Sequence, residues 1–211
     1  HGPAQIIGLT ECMRATEIVL LTPAVAGKQE EPAVAGKLET GEGFEYFTIR
    51  ADKFASVLIA ARTNTASSLK LLHWDRKAEG ESNTGRGSKS VAYTRTMIAR
   101  VELKNHVGFM GRTQTIMCMH LHNHVANNVK GFREQLVATW PRLAKLINTH
   151  GVDVLMGDFN MSLFKVAPEL RSCGVEVDMV AWYSWRSTDG HMMSDSQGIF
   201  LINKKATVEL H

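Results

Sequence analysis

The sequence predicts a mixed α/β chain, α+β in character with many strands and few helices, folded as one globular unit. Three observations carry that expectation. Short apolar runs rich in β-branched and aromatic residues recur along the chain, bounded by Gly, Asn, Asp and Ser. One stretch, Phe132 to Ile147, keeps its apolar residues three and four apart. Directly behind it, Val152–Met156 is apolar apart from Asp153 and reads as a buried strand following a helix.

Taken in order, Gln5–Thr10 is apolar, too short for a helix and followed by the acid Glu11, so a buried strand with a polar end is expected. From Thr22 to Gly43 the hexapeptide Pro-Ala-Val-Ala-Gly-Lys occurs at 23–28 and again at 32–37 with no amphipathic period, and 22–43 is expected to be an inserted loop. Phe44–Arg50 and Ala55–Arg62 predict two strands of a hairpin turning at Ala51-Asp52-Lys53. Ser68–Trp74 predicts another strand, and the Gly-, Ser- and charge-rich 76–90 a second, solvated insertion. Its Lys and Arg also suit a phosphate backbone, although charge runs are more often plain surface.

Thr94–Leu103 and Gln114–Leu121 predict adjacent strands with Gly108 and Gly111 between them. The following helix presents Phe132, Leu136, Trp140, Leu143 and Ile147 to a core, and Pro141 is expected to kink or break it, since an interior proline costs about 3 kcal/mol. Pro168–Ser172 begins a short helix, and Val175–Trp185 and Gly198–Ile202 are late strands.

At 211 residues the chain is expected to be one domain, 1–211, carrying the insertions near 22–43 and 76–90. A hydrophobic fraction of 44% with 21% charged residues excludes a chain disordered throughout. The net charge of +3 suits a polyanionic partner without requiring one. No apolar run approaches the roughly 18 residues of a membrane span, and no leader pattern opens the chain. Cys12, Cys118 and Cys173 lack CxxC spacing and read as reduced core thiols, so an intracellular compartment, cytoplasmic or nuclear, is expected.

Three of these strands end in groups that bind metal or phosphate: Glu11 after IIGLT, His120 after TIMCM, and Asp158 with Asn160 after VLMG. Singly each has an ordinary explanation: a solvated carboxylate, a structural histidine, and an Asx turn in Gly157-Asp158-Phe159-Asn160. If the strands are neighbours in one sheet and point the same way, their ends surround one mouth. Hard oxygen ligands with few thiolates suit Mg²⁺ or Mn²⁺, which keep waters and bind substrate phosphate. A zinc hydrolase is the competing enzyme, because His120, His122 and His124 alternate and an extended strand turns all three to one face.

At these residues the chain resembles the endonuclease/exonuclease/phosphatase superfamily, whose deoxyribonuclease-I-like fold is a four-layered α/β sandwich. IIGLTE resembles the segment whose Glu holds the metal, MHL the segment whose His contacts the reacting phosphate, and VLMGDFN the GDFN signature. The resemblance implies metal ligation by Glu11 and Asp158, and water activation by Asp158. It implies transition-state stabilisation by Asn160 and His120, a phosphate contact from Arg95, and Asp195 supporting the histidine. It implies a divalent-metal-dependent phosphodiester hydrolase, a nuclease of DNA or RNA. The family's Asn-bearing first strand and closing Ser-Asp-His segment do not appear, so the chain looks clipped at both ends and the fold incomplete. A catalytically inactive nucleic-acid-binding fragment of the same fold is the alternative that this departure keeps open.

Overall fold

The computed structural model describes residues 6–10, 33–39, 45–51, 57–74, 94–104, 113–121, 133–186 and 192–202. Glu11, Cys12, His122, His124 and the 76–90 segment lie outside the described residues.

Among the described residues, ten strands form two sheets. The four-stranded sheet has the order β1 (Ile6–Thr10), β4 (Val57–Arg62), β3 (Glu45–Ala51), β2 (Ala33–Glu39), with every pairing antiparallel. The six-stranded sheet has the order β5 (Ala66–Trp74), β6 (Thr94–Leu103), β7 (Thr113–Leu121), β8 (Val154–Asp158), β10 (Met192–Ile202), β9 (Val177–Arg186). Only β7 and β8 pair in parallel among the described strands. Parallel neighbours need a long crossover, and the helix α1 (Arg133–His150) supplies it.

Side-chain alternation on the six-stranded sheet builds two cores. Ile98, Met117, Met119, Leu155 and Phe200 face α1 and α2 (Leu163–Ser172), packing on Trp140, Leu143, Ile147, Leu163, Val166 and Leu170. The alternate residues Met97, Ala99, Ile116, Cys118, Val154 and Leu201 face the other sheet and meet Val57, Ile59 and Ala61 of β4. Leu58, Ala60 and Arg62, which point the opposite way on β4, are buried as well. That strand is therefore covered on both faces, as an inner sheet of a layered sandwich requires.

The hairpin β3–β4 and the adjacent β6–β7 pair form as the sequence predicts. Ala33–Glu39, expected to be loop, is instead strand β2: the second Pro-Ala-Val-Ala-Gly-Lys copy supplies an extended edge against β3, which carries the stronger β signal. Helix α1 runs unbroken through Pro141. The missing N–H frees the carbonyl of Val137, whose 63% exposure leaves that face to water. Helix α2 starts at Leu163, well before Pro168, and Phe164, one turn earlier, is likewise 64% exposed.

Both helices close on a glycine in the left-handed region, Gly151 and Gly174. The Val152 N–H then donates to the Ile147 carbonyl and the Val175 N–H to the Leu170 carbonyl, with each pair buried together. Asp153 is the polar residue of the Val152–Met156 run and stands just before β8. Its carboxylate accepts the Thr115 N–H at 2.9 Å, tying the start of β8 to β7.

Candidate functional site

Strands β7 and β8 end side by side, and His120 pairs with Asp158 at their C-terminal ends. The row continues to Arg95 on β6 and Gln197 on β10, and from Gln197 to Tyr183 on β9. At about 4.8 Å per strand, five strands carry this row over roughly 19 Å. The mouth beyond the C-terminal ends of parallel strands is where α/β sheets bind ligands. His120 continues the series Ile116, Cys118, and Asp158 the series Val154, Met156, so both stand on the face turned toward the four-stranded sheet.

Gly157 fixes the approach of the two strands. Its φ is +149°, and a Cβ there would run into the carbonyl oxygen of Met119 on β7. Only glycine lets β8 come this close with that backbone, one residue before Asp158. Phe159 then anchors the turn: its ring is fully buried edge-on to Phe200, centroids 5.6 Å apart, and its N–H donates to the Ser196 carbonyl at 2.8 Å. With Phe159 pinned inward, Asp158 and Asn160 flank it at the mouth. Asn160 sits at φ +48°, a conformation asparagine tolerates, and its N–H donates to Asp158 Oδ1 at 2.8 Å. The Asx-type turn read from GDFN is therefore present and serves to shape the site.

The Asn160 amide joins the histidine to the end of β7. Asn160 Nδ2 is 2.8 Å from the Leu121 carbonyl oxygen and 3.0 Å from His120 Nε2. A carbonyl oxygen only accepts, so the amide atom facing it is the donor nitrogen. The same nitrogen faces Nε2, which accepts when the imidazole carries its proton on Nδ1. Asp158 is held at both oxygens, Oδ1 by the Asn160 N–H and Oδ2 by Gln197 Nε2 at 3.2 Å. Both partners donate, and the half-buried Asp158 side chain offers oxygen ligands of the hard type that Mg²⁺ or Mn²⁺ takes.

His120, Asp158 and Asn160 thus come together, and the backbone of Arg95 lies directly across from His120. Asp195 falls where the β9–β10 register shifts between Ser194 and Gln197. The Ser196 carbonyl within this irregularity receives the Phe159 N–H. The strand leading to Glu11 does not neighbour the other two in one sheet. β1 belongs to the four-stranded sheet and meets them across the sandwich at Gly8, where a Cβ would collide with Met156 and stand 3.0 Å from Cys118 Sγ. Among the described residues, no three His, Cys, Asp or Glu side chains converge as a metal-holding group. Gln197 is the residue that the sequence does not reveal, because only strand register places it opposite Asp158.

No protein-family model matches the chain, and no curated protein matches it by sequence. Solved structures do match in fold. The cytolethal distending toxin of Haemophilus ducreyi superposes with a TM-score of 0.51 at 13% identity, over 94% of this chain and 70% of the toxin chain. TDP2 of D. rerio, humanized by 14 mutations, gives 0.44 at 14% identity over 94% of this chain and 83% of its own. The same protein complexed with a single-strand DNA product gives 0.45 at 13%, over 94% and 85%. At such identities the likeness is one of fold, and the fold of this chain is the deoxyribonuclease-I-like α/β sandwich.

Proposed function

We propose that this chain is a divalent-metal-dependent phosphodiester hydrolase of the endonuclease/exonuclease/phosphatase type, acting on DNA or RNA. The observation that carries it is the joined cluster of an imidazole, a carboxylate and a carboxamide at the ends of two parallel strands, with Asn160 Nδ2 3.0 Å from His120 Nε2. Asp158 and Glu11 would hold Mg²⁺ or Mn²⁺. When bound, the ion supplies a Lewis acid for a phosphate oxygen.

The chain's own groups do the rest. Asp158, fixed at both oxygens, orients the attacking water and accepts its proton. Asn160 keeps both Nδ2 hydrogens engaged until a phosphate arrives. Uptake of a proton at Nε2 turns His120 into a donor and releases one of those hydrogens, so an anionic phosphate meets two donors together. Arg95 adds a fixed positive charge along the same row, and Asp195 supports the protonated histidine. The +3 net charge favours a polyanionic substrate.

The test is hydrolysis of bis(4-nitrophenyl) phosphate and supercoiled plasmid with Mg²⁺, Mn²⁺ or EDTA, for the chain and its Asp158→Ala variant. Metal-dependent turnover that falls at least about a hundredfold in the variant is expected. Turnover that ignores EDTA, or survives Asp158→Ala, overturns the assignment. DNA or RNA binding that survives Asp158→Ala without any cleavage identifies a binding module instead.

A further inference from the structure

We infer that Gln197 is a positioning residue that sets the orientation of the Asp158 carboxylate. This rests on the hydrolase reading of the same site. Asp158 lies at the end of the five-residue strand β8, and its carboxylate has two torsions to fix. The Asn160 N–H restrains Oδ1 from within the same turn, and a single restraint leaves rotation about that bond open. The second restraint comes from another strand: Gln197 pairs with Asp158 across β8 and β10, and its Nε2 donates to Oδ2 at 3.2 Å. Together the two donors select one carboxylate plane and leave its remaining lone pairs to the mouth.

Gln197 suits this task because its carboxamide is neutral. It donates to Asp158 without cancelling the negative charge that a cation or a water proton needs, as a Lys or Arg would. Its backbone is held independently of the side chain, by the paired register from Gln197 to Leu201 on β8 and by the Phe159 N–H on the preceding Ser196 carbonyl. The side chain itself is exposed, so replacing it leaves both cores untouched.

Steady-state hydrolysis of bis(4-nitrophenyl) phosphate with Mg²⁺ compares the chain with Gln197→Met, which keeps length and removes the donor. A loss of about three- to tenfold in kcat with KM for the ester within about twofold and an unchanged melting midpoint is expected. An unchanged kcat while Asp158→Ala is inactive overturns the role of Gln197 and leaves the hydrolase reading standing. Full activity in Asp158→Ala overturns the hydrolase reading itself. A second measurement needs no turnover: in ¹⁵N NMR of the whole chain, the Gln197 side-chain amide is expected to shift on Asp158→Asn, and a resonance that does not move overturns the contact.

Discussion

At Gly157 the backbone stands at φ +149° against the Met119 carbonyl, and this contact sets how far Asp158 stands from His120. An alanine there meets rigid backbone in a conformation that side chains avoid. We predict that Gly157→Ala costs about 1–3 kcal/mol from backbone strain alone, read as a lower urea midpoint, with turnover reduced about a hundredfold because the two strands must separate. Gly8→Ala is the contrast. Its Cβ would press on the Met156 thioether, a flexible end that can swing aside, so its loss should be the smaller of the two. Equal stability in Gly157→Ala and the parent chain would count against the close approach.

The sequence shows Gly157, Asp158, Phe159 and Asn160 as a group, since their order marks a turn and resembles the GDFN signature. It does not show that Phe159 is the pin, nor that Gln197 meets Asp158. Those facts depend on which residues pair across strands separated by 39 positions.

Among the elements, strand β8 is short and held at both ends. Asp153 bonds to β7 at its start, the Ile202 N–H donates to the Asp153 carbonyl, and Gly157 closes the other end on Met119. Helix α1 delivers the chain to that strand, and its last residue carries a pH dependence. Burial, and then the neighbouring His73 imidazole, hold His150 below the ordinary histidine value of about 6.5. The rings stand 5.5 Å apart. A depressed histidine binds its proton less readily folded than unfolded, so its contribution is present above about pH 6.5 and is lost as pH falls below that value. We predict that stability of the chain drops on acidification from pH 7.5 to about 5.5, and that His150→Gln flattens part of that slope in urea titrations. An identical slope in the variant would show that the pair is not titrating.

Most elements are legible because alternation and helical period survive in the sequence, as with Thr94–Leu103 and Leu136 through Ile147. Two misreadings share a cause. Proline is expected to break the helix at 141 and to open the next one at 168, yet α1 runs through Pro141 and α2 starts at Leu163, because the carbonyls left without a donor lie on the exposed Val137 and Phe164 faces.

For the whole molecule, the two cores lie on opposite faces of one six-stranded sheet, and the site opens where that sheet meets the other. Cys118 and Met156, which receive β1 at Gly8, stand one pleat behind His120 and Asp158. Packing between the sheets and geometry at the mouth are therefore coupled through the same two strands. No helix among the described residues is long and apolar enough to cross a membrane. The division into an α/β sandwich is legible from strand-rich patterning with one crossover helix. The placement of β1 in the opposite sheet is not, since nothing in a lone apolar run says which sheet it joins.

On the proposed reading, His120 and Asn160 act as one unit on a phosphodiester. The most direct test is Mg²⁺-dependent hydrolysis of bis(4-nitrophenyl) phosphate by the parent chain, His120→Ala, Asn160→Ala and the double variant. Each single change is predicted to lower kcat by about a hundred- to a thousandfold, and the double to fall little further than the worse single, as groups working together do. Losses that multiply in the double variant, or a parent chain whose turnover is indifferent to either residue, would show that His120 and Asn160 do not act together.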